Sequence, residues 1–431
     1  MKVKVKTLQR MTPTGRLHFD FFGGVREEFF VSRPVEPVYD EKFWLPVWSD
    51  LWWKMGMQNQ PSPSRNLKDH FAALPDPRIG PAQRHELLDI LMIAVCALLC
   101  GAEGFTEIAQ CGRCKADWFR TWLALPHGIP SHDTFNRVFG LIDPAKFQDC
   151  FLAWTQSLRA VVAGELVALD GKTLRHSRAR GHGPIHLVNV WAARNRLVLG
   201  QLKVDDHSNE ITALPPLLRA LELAGCVVTV DAMGCQKTVA KEIHEADADY
   251  VLALKANQGT LHAEVQAFLD DAHTRGFAGL AHQFTQTVQK DHGRLETRRY
   301  WITEAIDWLA DKPQWEALRS VGMVEAVREV DGKSTTQRRY YLSSLPAQVQ
   351  RFAAAVRGHW EIENCLHWVL DVQMGEDRCP VRQQNAAQNL ATLRALCLNQ
   401  LRRDQQVKLG IRGKQKAAGW DHQYLASLLN F

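Results

Sequence analysis

Glu165-Leu-Val-Ala-Leu-Asp-Gly-Lys-Thr-Leu-Arg175 is the stretch on which the reading of this chain turns. Leu166 to Leu169 are four apolar residues in a row, the composition of a strand covered on both faces. The strand runs into Asp170 and Gly171, and two cations, Lys172 and Arg175, follow. A carboxylate leaving a buried strand is costly unless a cation or a hydrogen-bond network receives it. Cys226-Val-Val-Thr-Val-Asp231 repeats the pattern, and a further acid, Glu363, sits in His359-Trp-Glu-Ile-Glu-Asn364.

The 431 residues have room for two or three domains and a sizeable core. A hydrophobic content of 46% with 23% charged residues is that of a globular chain, and a net charge of +5 permits an anionic partner without requiring one. The most apolar run, Leu87 to Cys100, is too short for a bilayer span and reads as a buried helix, so no membrane is expected. The basic N-terminus lacks an apolar region after it, which argues against a secretory signal. Ten cysteines in so long a chain do not make a disulfide framework, and the expected setting is a reducing cytoplasm. Cys111-Gly-Arg-Cys114 has metal-ligand spacing but no second pair near it.

Residues 1–65 read as a poorly defined extension rich in Trp and Phe, ending in a linker over 58–64; an alternative start at Met55 or Met57 is one explanation. From 66 to 164 the periodicity is helical, over Arg84–Gly101, Asp117–Leu125, Thr134–Leu141 and Ala145–Val162, with Ser131 as an N-cap. Such short helices suit a DNA-binding or accessory domain. Strands are expected at Leu166–Asp170, Ile185–Ala192, Leu197–Val204, Val227–Asp231 and Tyr250–Leu254, with helices at Ser208–Ala224 and Gln236–Ala246. That order predicts an α/β ribonuclease-H-like core over 165–405, a mixed sheet with flanking helices.

A β-rich insertion is expected at about 257–345, with Asp331-Gly332 as a hairpin turn. Within it Lys290, His292, Arg294, Glu296, Arg298 and Tyr300 alternate, which on one strand gives a mostly cationic row. A continuous helix Arg351–Leu370 carries Glu363, another spans Asn385–Arg403, and residues 406–431 read as a basic tail.

Three acids drawn together need a cation to stay ionised. Oxygen ligands favour Mg²⁺, with Mn²⁺ able to substitute, and two such ions suit phosphodiester cleavage. The phosphate-binding loop of ATP-driven proteins is missing, so no ATP is expected.

The motifs sharpen this reading. His70-Phe-Ala-Ala-Leu-Pro-Asp-Pro-Arg78, Pro130-Ser-His-Asp-Thr-Phe135, Asp170-Gly-Lys172, Ser208-Asn-Glu-Ile211, Asp231-Ala-Met-Gly-Cys-Gln236 and Leu254-Lys-Ala-Asn-Gln258 resemble insertion-sequence transposases, most of all the H-repeat-associated branch. His359 to Asp371, followed by Glu376-Asp377, is similar to that branch's signature around its Glu. The resemblance spans about residues 66–405. It implies a DDE transposase with Asp170, Asp231 and Glu363 as catalytic metal ligands. Such an enzyme acts on the terminal inverted repeats of its own element and on target DNA, as a homodimer. Asp231 lies 61 positions after Asp170, and Glu363 132 further on, room for the insertion. The wider group carries Tyr, Arg and Lys around its Glu. Here His359 and Trp360 precede Glu363 and Leu370 takes the later position, leaving phosphate contacts to His359, His367 or Arg357. Glu361 competes for the third acid. Candidate DNA contacts are Lys172, Arg175, Gln236, Lys255, Asn257, His292, Arg294, Arg298, His359 and Asn364. Two other readings stay open: a nuclease of this fold without strand transfer, and a catalytically degenerate relative that only binds DNA.

Overall fold

Strand alternation sets the faces of the central sheet. In β1, Leu166–Leu174, the residues Leu166, Ala168 and Asp170 point to one side and Val167 and Leu169 to the other. The computed structural model describes residues 66–80, 83–158, 164–178, 183–204, 210–291 and 294–429. The aromatic extension and linker over 1–65, Ser208 and His292 lie outside the described residues.

Among the described residues six helices precede the sheet: α1 (Leu67–Ala72), α2 (Leu87–Leu99), α3 (Phe105–Cys114), α4 (Ala116–Phe119), α5 (His132–Leu141) and α6 (Pro144–Leu158). In α2 every residue but Leu88 is buried, as expected of a helix apolar all round. Ser131 caps α5, accepting from the Thr134 amide at 3.3 Å. The helix expected over Asp117–Leu125 stops at Phe119. Pro126 disfavours helical backbone at the residue before it, and Leu125 takes φ +41°.

β1 pairs with β2 (Ile185–Ala192), which pairs with β3 (Leu197–Val204), both antiparallel. After α7 (Glu210–Arg219), β4 (Val227–Val230) joins β1 in parallel; after α8 (Lys237–Glu245), β5 (Asp249–Leu254) joins β4 in parallel. The resulting order β3-β2-β1-β4-β5 is that of a ribonuclease-H-like core. After α9 (Gly259–Thr274) the chain adds β6 (Gln283–Asp291), β7 (Arg294–Thr303), β8 (Ser320–Val330) and β9 (Lys333–Ser343). β9 pairs with β5, so the insertion extends the same sheet to nine strands. Asp331 and Gly332, at φ +50° and +73°, make the tight turn between β8 and β9.

The single cationic row does not form. Lys290 and Arg294 sit on two strands of a hairpin, and Lys290 is paired with Leu295, which places it on the face opposite Arg294. Glu296 then divides the row that remains, 3.6 Å from Arg294 and 2.6 Å from Arg298. Alternation along the sequence holds only while the chain stays on one strand.

The sheet's far face carries α7, α8 and α9. Its near face carries α10 (Val349–His359), packed on Val227, Val251, Tyr300 and Ile302. α10 gives way to two π-helical segments, Ile362–His367 and Val369–Gln373, where an unbroken helix to Leu370 was expected. Then follow α11 (Ala386–Arg403), α12 (Ile411–Trp420) and α13 (His422–Leu428). Residues read as a basic tail are thus two packed helices. Ala418, Leu425 and Leu428 join a core shared with α2, α5 and α11, and Lys414 donates to the carbonyls of Leu401 and Asp404. That same core takes in Ala168, Trp191, Ile362 and Leu366. No helix among the described residues is long and apolar enough to cross a membrane.

Two close contacts hold the π-helical region to β1. Gly358 lets α10 approach, since a Cβ there would lie 2.2 Å from Leu166 Cδ2. Lys172, expected at a DNA phosphate, is instead buried, with its ammonium between Asp371 and Glu376. Burial alone would lower its pKa, but the two carboxylates outweigh that and raise it. Buried and paired with two acids, the Lys172 ammonium does not present its charge at the surface.

Gly358→Ala should destabilise the fold by about 1–3 kcal/mol through overpacking. Gly259→Ala, where the methyl meets open space in a helix, should be neutral or stabilising. Urea denaturation compares the two, and equal midpoints would refute the close-approach account. Lys172→Met, which strands two acids in the interior, should cost about 3–5 kcal/mol on the same assay. A loss below about 1 kcal/mol would mean that the ion network is not holding the segment.

Candidate active site

Parallel pairing brings the first two acids together. Leu169 is in register with Val230, so Asp170 and Asp231 are the next residue on each of two neighbouring strands. Adjacent strands run about 4.8 Å apart, and both acids leave the sheet at its carboxyl edge. The strand register carries the same offset of 61 that separates the two acids along the chain. Asp170 Oδ1 accepts from the Gly171 amide at 3.0 Å and Asp231 Oδ1 from the Gly234 amide at 3.3 Å. Only glycine fits at the second turn, because a Cβ on Gly234 would lie 2.2 Å from Val230 Cγ1.

The third acid comes from the π-helical turn. Ile362 and Leu366 of that turn are buried in the helical core, while Glu363 stays exposed on the sheet side. A π-helical turn carries an extra residue per repeat and re-aims its side chains, a device often found at functional sites. Asp170, Asp231 and Glu363 all line one cavity of about 350 Å³. Glu361, the competing third acid, is exposed and does not line it.

His367 completes the cluster. Its Nδ1 lies 3.1 Å from Glu363 Oε2 and 3.7 Å from Asp170 Oδ2. Ligand atoms of Asp170, Glu363 and His367 fall within 4.8 Å of one another, and they form the one such group among the described residues. Cys111 and Cys114 belong to no such group. Two carboxylates beside an imidazole, with Asp231 on the adjoining strand, are a donor set that fits a divalent cation.

Burial pushes the His367 imidazole below its ordinary pKa, against the pull of Glu363. Burial likewise takes His359 down to about 4, so at neutral pH that ring is uncharged. His359 lines the cavity and its Nδ1 lies 3.0 Å from Thr229 Oγ1, so it can offer a phosphate a hydrogen bond but no ion pair.

The remaining expected contacts scatter. Lys255 lines the cavity and is exposed. Arg175 is largely exposed, 3.4 Å from Asp377. Gln236 accepts from Gln258 at 3.2 Å, and Asn257 donates to the Ala232 carbonyl, so both brace the loop after β4. Asn364 is exposed, its amide 3.4 Å from the Trp360 carbonyl. Arg294 and Arg298 lie out on β7 with Glu296 between them. Sequence reasoning passed over Arg339, which lines the cavity 4.9 Å from the ring of Trp360. It also passed over Asn189 and Gln201, which lie beside the cluster. Asn189 stands between Val188 and Val190 in a strand whose other buried residues are all apolar, and that lone buried amide was the available signal.

Comparison with known proteins agrees with this architecture. The profile of the family described as "Transposase DDE domain" matches residues 163–400, and that described as "DDE_Tnp_1-associated" matches residues 68–155. The H repeat-associated protein YhhI of Escherichia coli strain K12 is 37% identical over 372 residues, covering 85% of this chain and 98% of its own. A protein of the dhlA 3′ region of Xanthobacter autotrophicus is 45% identical over 290 residues, covering 65% of this chain and 95% of its own. The piggyBac transposase in its synaptic complex with hairpin DNA aligns at a TM-score of 0.39 and 10% identity, covering 86% of this chain and 79% of that one. So slight a structural likeness adds no weight. The family match over more than half the chain does: this chain belongs to the DDE transposase family.

Proposed function

We propose that the chain is a metal-dependent transposase that cleaves DNA at the terminal inverted repeats of its own element and joins the freed ends to target DNA. The observation that carries this reading is the meeting of Asp170, Asp231 and Glu363, far apart in sequence, in one cavity. These three acids would hold Mg²⁺ or Mn²⁺, two ions in the working complex. When bound, the metal supplies Lewis-acid stabilisation of the phosphodiester and a more acidic attacking hydroxyl.

The chain's own residues supply the rest. Asp170 and Asp231 are set by strand pairing and by the glycine amides that hold one oxygen of each. Lys255 and Arg339 lie on the cavity wall, suited to carry the phosphate backbone past the acids. Arg175, Arg294 and Arg298 offer further phosphate contacts, and a homodimer would pair the two element ends. In the first step water displaces the 3′-oxygen of the cut bond, leaving a 3′-hydroxyl. In the second that hydroxyl attacks a target phosphodiester, with one bond made for each bond broken.

The test uses labelled duplex carrying the gene's flanking repeats with Mg²⁺ or Mn²⁺. Asp170→Asn, Asp231→Asn and Glu363→Gln should each lower cleavage by about a thousandfold or more, the equivalent of several kcal/mol of lost metal stabilisation. Chelation by EDTA should do the same to the native chain, while Glu361→Gln should stay near native. Cleavage that survives any of the three acid variants would overturn the assignment, and nicking without joining would leave a nuclease. Lys255→Ala and Arg339→Ala should each weaken DNA binding uniformly across sequences. Each should also reduce the slope of log affinity against log salt by about one. An unchanged slope would remove that residue from the phosphate path.

A further inference from the structure

A row of polar groups crosses the sheet where its covered face would be expected to be apolar. Gln201 on β3 is in register with Asn189 on β2, and Asn189 with Asp170 on β1. Asn189 is fully buried and Gln201 nearly so. Amides at such depth are costly unless their hydrogen bonds are made, so the pattern of those bonds carries information.

The pattern runs in one direction. Gln201 Nε2 donates to Asn189 Oδ1 at 2.7 Å. With its oxygen turned to Gln201, Asn189 presents its nitrogen to His367, 3.3 Å from Nε2. An amide nitrogen only donates, so Nε2 must accept. A neutral imidazole has one donor and one acceptor nitrogen, which puts the hydrogen on Nδ1. Nδ1 is the atom that faces Glu363 and Asp170.

A buried histidine among metal-site carboxylates has two roles open to it. As a ligand it must turn a lone pair to the cation, and such histidines give their other N–H to an acceptor behind the ring. Here the group behind the ring is a donor, the opposite polarity. The alternative is a ring that donates into the carboxylates and fixes where they point. Glu363 has reason to need it: it is the mostly exposed member of the cluster, carried on a π-helical turn with three side-chain torsions of its own.

We propose that His367 is a positioning residue of this centre and not a metal ligand: the Gln201–Asn189 amide pair fixes its Nδ1–H tautomer, and that hydrogen holds the Glu363 carboxylate toward Asp170. This rests on the metal-centre reading given above. The hydrogen bonds run in sequence from Gln201 to Asn189 to His367 to Glu363, from the interior of the sheet to the cavity. The amide pair is therefore a functional element built into β2 and β3.

The test has two readouts, neither of them catalytic. Long-range ¹H–¹⁵N spectra of the full-length native chain, with the His367 signals assigned by their loss in His367→Gln, report the tautomer without metal. Nδ1 should be the protonated nitrogen and Nε2 the bare one. Electron spin-echo spectra of the Mn²⁺-loaded protein then report directly bound nitrogen, and none should be found. His367→Ala should weaken Mn²⁺ binding by roughly tenfold, the usual scale for loss of an orienting partner. Asn189→Asp reverses the polarity by accepting from Nε2, so a bound-nitrogen signal should appear in that variant. A bare Nδ1, or a bound nitrogen in the native Mn²⁺ complex, overturns the proposal while leaving the metal centre in place. A native chain that binds no Mn²⁺ overturns the metal-centre reading, and the role given to His367 with it.

Discussion

The site depends on the parallel pairing of β1 with β4. Two carboxylates on adjoining strand ends repel one another, and no local feature of either segment would bring them together. What holds them is the backbone ladder from Leu166–Val227 to Leu169–Val230, together with apolar side chains covered on both faces. A shift of that register by one residue would turn one acid to the opposite face and break the pair. The repulsion is thus carried by sheet packing some distance from the cavity, which leaves the edge of the sheet free to hold like charges in want of a cation.

The second constraint is the end of α10. Gly358 seats that helix tightly on Leu166, and beyond His359 the chain passes into π-helical turns. Ile362 and Leu366 anchor one side of those turns in the helical core, and Asp371 reaches Lys172 on β1. Glu363 is what remains on the cavity side. The same anchoring ties the N-terminal helices to the sheet, since α2, α5, α11, α12 and the π-helical residues share one core. The helical region and the turn that carries the third acid are thus packed in one core.

The inserted strands extend the sheet beyond β5. Arg339 reaches the cavity from β9, and Arg298 and Arg294 lie further out on the same face, with Glu296 neutralising part of their charge. Arg339 and Lys255 are thus the cations that line the cavity with the acids, while the charges of Arg294 and Arg298 are shared with Glu296.

Much of this was legible in the chain itself. Apolar runs ending in Asp170 and Asp231, the order of strands and helices, the cap at Ser131 and the Asp331-Gly332 turn are local signals, set by burial pattern and backbone sterics within a few residues. The motif around Glu363 left Glu361 in competition with it, and of the two only Glu363 lines the cavity. What was not legible depends on partners distant in sequence. Lys172 looks like a surface cation until Asp371 and Glu376 fold over it. The basic row over Lys290–Tyr300 dissolves because its residues fall on two antiparallel strands, β6 and β7. The C-terminal helices pack because their apolar faces meet α2 and α11, which a basic composition conceals. Asn189, Gln201 and His367 stand in three different segments, and only sheet register and the π-helical turn make them neighbours. The sequence alone determined which acids could be brought together and on what scaffold. Tertiary structure decided which cations face them and which imidazole lies beside them, because charge pairing and side-chain neighbours depend on distances that no local pattern encodes.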